Sequence, residues 1–238
     1  MNRIKTFGLA LMVILVMSVI ASATASAVEP TKMLPEPTEK SPVSFTGKGE
    51  KGKEKSTLET VAGEKVVCTS STAKGEATSP NLGTFDALFL GCKAKGIAAC
   101  KGLKDTVKES VLAVGPFHYW LALLNKELIA VIAILLEEDH FECAFIIEEL
   151  ILVKGCVAAQ LTPTDKLTKT ATLKFVQTKG VQNITKILPE NSTKEIECKL
   201  ESKKGVEGKF EQSAQEGNAE IEGFKQNGVA IEALFMNK

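Results

Sequence analysis

Histidine is almost missing from this chain of 238 residues, which holds two, His118 and His140. Tyrosine and tryptophan occur once each and stand side by side as Tyr119-Trp120. With imidazole so scarce, Ser/His/Asp chemistry is confined to two positions, and no Gly-x-Ser-x-Gly elbow accompanies either of them. Net charge is missing as well, since 29 Lys+Arg balance 29 Asp+Glu. The basic footprint of a nucleic-acid binder is therefore absent, and no such partner is expected. Gly47, Gly49 and Gly52 lie in a charged stretch with no helix to follow, so they make no phosphate cradle. No Cys-x-x-Cys pair exists to hold zinc, and no Asp-x-Asp-x-Asp-Gly loop to hold calcium. No cofactor and no metal site are expected.

The start of the chain is its plainest signal. Arg3 and Lys5 form a basic n-region, Phe7 to Ile20 is almost wholly apolar, and small residues run from Ala21 to Ala27. This is the pattern of a secretory signal peptide over residues 1–27, cut after Ala27. An apolar stretch this short, followed at once by small residues, favours cleavage over an uncleaved membrane anchor, so no stable membrane anchor is expected after it. All six cysteines, Cys68, Cys92, Cys100, Cys143, Cys156 and Cys198, follow the cut, which predicts disulfides in an extracellular protein rather than thiol ligands. Cys92 and Cys100 flank Lys95-Gly96 and could close a local loop; Cys156 is expected with Cys198, which leaves Cys68 for Cys143.

Residues 28–42 hold four prolines and no apolar periodicity, and read as an extended tether. Thr46 to Lys55 is Gly/Lys/Glu-rich and reads as a loop or hairpin tip. From about residue 57 the pattern turns to short segments of period two. Ala171, Leu173 and Phe175 share one face, as do Ile196, Cys198 and Leu200, and Asn227-Gly228 suits a type I′ hairpin turn. Residues 117–124, 128–136 and 144–153 are nearly continuous apolar runs, cut by Asn125-Lys126 and by Glu137-Glu138-Asp139 into strand-sized pieces. The expectation is an all-β chain, a single antiparallel β-sandwich or distorted barrel over residues 43–238. The apolar runs are expected inside it, covered on both faces.

Three blocks carry a resemblance. Leu58-Glu-Thr-Val-Ala-Gly63 leads to Cys68-Thr-Ser-Ser71, then comes Gly91-Cys-Lys-Ala-Lys-Gly96 with Cys100, and finally Thr162-Pro-Thr-Asp-Lys-Leu-Thr168 with Leu173-Lys-Phe-Val-Gln177 and Gly180-Val-Gln182. Together they resemble a large group of uncharacterised secreted actinobacterial proteins. The resemblance implies export and a β-rich fold, and carries neither an activity nor a catalytic residue.

Candidate chemistry is sparse. His118 and His140 read as surface or structural side chains. Glu137, Glu138 and Asp139 with Glu142 nearby could offer calcium hard oxygens, and Glu137, Glu138, Glu142, Glu148 and Glu149 could supply paired carboxylates, but acidic turn residues at a strand end and a chance cluster of glutamates explain them more simply. Tyr119 and Trp120 should face opposite sides of a strand, and one of them could offer a ring to carbohydrate or the cell wall. The leading expectation is a secreted, non-catalytic structural or binding domain. The alternatives are a hydrolase with a carboxylate site near residues 137–149, and a barrel that binds an apolar ligand.

Overall fold

The computed structural model describes residues 32–49, 56–102, 109–144, 148–189, 192 and 194–236. The expected signal peptide lies outside them. No helix occurs among the described residues, and the all-β expectation holds.

Eight strands follow one another around a closed antiparallel ring: β1 (Val43–Gly49), β2 (Ser70–Ser79), β3 (Leu82–Leu90), β4 (Ser110–Leu124), β5 (Glu127–Ala144), β6 (Glu148–Thr162), β7 (Thr170–Phe175) and β8 (Glu211–Gln226). The last pairs with the first, Ile221 opposite Gly47 and Gln226 opposite Val43, so the order is a simple meander closed into a ring. Shorter segments prolong the wall. Ser56–Thr60, Lys65–Cys68, Lys93–Ala94, Ala98–Gly102 and Leu200–Lys204 join β5, β6 and β8 in a second circuit stacked on the first. The three long strands run through both.

Alternation explains the half of the wall formed by β1, β2 and β3. Thr72, Lys74 and Glu76 point outward and Ser71, Ala73, Gly75 and Ala77 inward. Register there is fixed by outward charge pairs, Lys74 with Asp86 at 3.3 Å and Lys48 with Glu220 at 3.1 Å, each directly across a ladder. Inside, Phe45 lies over Gly75 and Phe117 over Gly83, where a Cβ would come within 2.3 and 2.5 Å of the rings. Glycine at these two places leaves room for an aromatic ring to lie against the opposite backbone.

The apolar middle of the chain is buried on both faces. On β5, Ala130, Ile132 and Ile134 face the interior, and Val131 and Ala133 face an outer cluster with Trp120, Ala158, Ile184 and Ile187. That cluster is roofed by the segment between β7 and Leu200, which crosses outside the wall and is tied to β6 by Cys156–Cys198. Buried Gln182 fastens the same place, donating to the carbonyls of Cys156 and Cys198. At one end of the ring Lys32–Leu34 and Leu167–Thr168 flank Ala233–Met236 in a three-stranded cap. Phe235 meets Phe224 and Tyr119 there at 5.8 Å between centroids.

Several expectations need correction. The Pro-rich segment is not a tether within the described residues, because Lys32–Leu34 pairs with the cap, Met33 is buried and Pro37 is fully enclosed. Thr46–Gly49 belongs to β1 rather than to a loop; residues 50–55 lie outside the described residues. Glu137-Glu138-Asp139 does not end a strand. β5 continues past it, with two residues, Glu137 and Glu138, opposing Lys154 in a β-bulge. Ile196–Glu197 and Leu200–Lys204 are separate strands, and Cys198 and Leu200 belong to different clusters.

The disulfides are Cys68–Cys92, Cys100–Cys143 and Cys156–Cys198, so one expected pair stands and two do not. The reason lies in the ladders. Cys68, Cys92, Cys100 and Cys143 stand in one row across four neighbouring strands, as the registers around Val66/Ala94, Lys93/Ala99 and Cys143/Cys100 require. A bond between the middle two would leave Cys68 and Cys143 about 14 Å apart, three strand spacings, far beyond disulfide reach. Only outer-to-inner pairing uses all four.

Candidate functional site

The interior of the ring is not filled. A cavity of ≈ 190 Å³ runs between the aromatic cap and the cysteine row. Its wall is almost entirely carbon, led by Phe45, Phe85, Phe89, Phe117 and Phe141 with Ile132 and Leu136, and small residues, Gly47, Ala73, Ala87 and Ala113, leave the space that these rings do not occupy. It is larger than the ~150 Å³ apolar cavity that stays dry and takes up benzene. Lys48, at its margin, is engaged outside by Glu220 and Glu222.

One acidic side chain lines this space, Asp139. The bulge puts it there. Inward positions on β5 are even-numbered up to Leu136; the extra residue shifts the phase, so Asp139, Phe141 and Cys143 face inward instead. The bulge sits at a seam. The β4–β5 ladder stops at Phe117/Ile134, and on that side β5 is next paired at Phe141, with Gly102. At the seam the Val114 backbone N–H donates to the Asp139 carboxylate. Oδ2 is enclosed and has no partner among the described residues. Burial pushes this carboxyl up to about 6, against the smaller downward pulls of nearby His140 and the Val114 N–H.

The other expected site residues are placed differently. Tyr119 and Trp120 do face opposite sides of β4, Tyr119 in the inner cluster and Trp120 in the outer one. The Tyr119 hydroxyl donates to the Met236 carbonyl at 2.8 Å, and burial first, then the charge of Asp165, holds its phenol above the usual range. Trp120 is 8% exposed and covered by His118, stacked at 4.1 Å, so it presents no open platform to a sugar. Burial lowers the His118 pKa. His140 meets Glu138 at 2.7 Å on the outside of the bulge. Glu137 and Glu138 are exposed, and Glu149 pairs with Lys204, so these acids do not converge with Asp139 on one cleft. Among the described residues no group of three or more His, Cys, Asp or Glu side chains is arranged to hold a metal ion.

The interior aromatic set was not singled out from the sequence, although its signal is there. Gly75 and Gly83 sit in period-two segments where a glycine marks a close approach.

The fold and its cavity thus define an all-β protein whose antiparallel strands form a ring around a largely apolar interior. No family model, no curated protein and no solved structure matches the chain.

Proposed function

We propose that this protein is a secreted, non-catalytic binding domain that takes a small, mainly apolar molecule into the interior of its ring. The carbon-lined cavity of ≈ 190 Å³ carries this reading. Apolar enclosure with few polar groups is what ligand sites in barrel interiors have in common. A lone inward carboxylate does not supply the acid pair that glycosidic hydrolysis needs, which favours binding over the carboxylate-based hydrolase. The leader-like N-terminus, the three disulfides and the likeness of the cysteine-bearing blocks to secreted actinobacterial proteins support export.

Ala113 lines the cavity from β4, and replacing it by Phe adds a ring to the empty space. Equilibrium dialysis with 1-methylnaphthalene should show uptake of about one molecule per chain at the micromolar concentrations typical of modest sites. Ala113→Phe should lower that uptake at least tenfold while the circular dichroism and the disulfides stay unchanged. A folded wild-type protein that takes up none overturns the reading.

A further inference from the structure

We infer that the ligand is an amine on an apolar body, with its nitrogen held by the carboxyl of Asp139; this rests on the binding reading above. The cavity wall supplies nearly uniform apolar contact and so selects for size but not for chemistry. Neutral polar side chains, Ser71, Asn81, Gln215 and Asn218 among them, also line it, but Asp139 is its one acid, and a bulge is what places it there. A bulge turns it inward, the seam between β4 and β5 leaves it space, and the Val114 N–H fixes one side of it. Among the described residues no cation compensates it within the cavity, because the lysine at the margin, Lys48, is held outside by two glutamates.

Oδ2 has no hydrogen-bond partner among the described residues, although it is buried. A buried acceptor left unmatched is costly, and a ligand that donates to it recovers that cost on binding. Rotation about Cβ–Cγ is soft in aspartate, so either oxygen can turn toward a donor in the cavity. An ammonium group matches best. It donates, and it brings the opposite charge to a carboxylate in an apolar setting, where a charge-assisted hydrogen bond is strongest. A carboxylate ligand would place like charges together, and a plain hydrocarbon would leave Oδ2 as it is.

Three ligands of one shape separate these cases: 1-naphthylmethylamine, 1-methylnaphthalene and 1-naphthoate, each titrated by calorimetry into the full-length secreted protein and its Asp139→Asn variant at pH 7.5. The amine should bind the wild type at least tenfold tighter than the hydrocarbon, and the naphthoate weakest. Asp139→Asn should remove the preference for the amine and leave hydrocarbon binding within about twofold. Equal binding of amine and hydrocarbon to the wild type overturns the amine assignment and leaves the apolar cavity standing. Failure of all three to bind overturns both. If Asp139→Asn does not fold, the order of the three on the wild type alone decides.

Discussion

Asp139 concentrates the residue-scale physics of this molecule. Its carboxyl titrates near 6 in the fold, against about 3.9 in an unfolded chain. Between those values the native state holds more protons than the unfolded one. Stability contributed by the protonated form is therefore complete below about pH 4 and lost as pH rises through 6. Asp139→Asn should then stabilise the empty protein at pH 7.5 by about 1–2 kcal/mol, after allowance for solvent screening of a partly open site, and change nothing near pH 4. Urea denaturation at the two pH values checks this, with His140 and its partner Glu138 retained in both proteins. The sequence showed Asp139 as one of three consecutive acids at the edge of an apolar run. Which of the three turns inward was not legible, because a bulge changes the phase of a strand without a residue signature of its own. Tyr119 and Trp120 were legible, since opposite faces follow from adjacency alone.

At the scale of elements, the segment between β7 and Leu200 explains why β5 and β6 look like core strands of a thicker protein. It roofs the outer face of the wall, and Cys156–Cys198 with Gln182 holds it down. Replacing both cysteines by Ala should cost about 2–4 kcal/mol and expose the outer cluster. Trp120 is the only tryptophan in the chain, so its fluorescence should shift to longer wavelength in the variant; an unchanged spectrum would show that packing alone keeps the roof in place. Strand existence was readable here from run length and from the Asn125-Lys126 and Asn227-Gly228 turns, whose residues all take positive φ. The path of residues 195–201 was not. Their even alternation suggests one strand, but the chain leaves the roof and enters the wall between Cys198 and Leu200, and periodicity is blind to such a crossing. Cysteine spacing misled for a related reason: nearness along the chain favoured Cys92 with Cys100, whereas the row of four across the sheet depends on registers the sequence does not spell out.

For the whole molecule, the cap and the cysteine row stand at opposite ends of one space. Phe235 anchors the cap among Phe224 and Tyr119, and is 4% exposed. Phe235→Ala should destabilise the fold by about 3–5 kcal/mol, read as a lower urea midpoint at unchanged slope, and an effect under about 1 kcal/mol would mean that the cap is peripheral to stability. An all-β sandwich or distorted barrel was legible from many short strands, while the closure of the ring was not, because nothing local marks the pairing of β1 with β8. That pairing has a temporal side. Thr46 Oγ1 donates to the Glu222 carbonyl across 176 positions of chain, so the two strands that seal the ring are among the first and the last to be synthesised. Contacts this distant form late and slowly. Until β8 is made, β1 keeps one margin without its partner and the circle of strands stays open, although each strand between them already lies beside its chain neighbours.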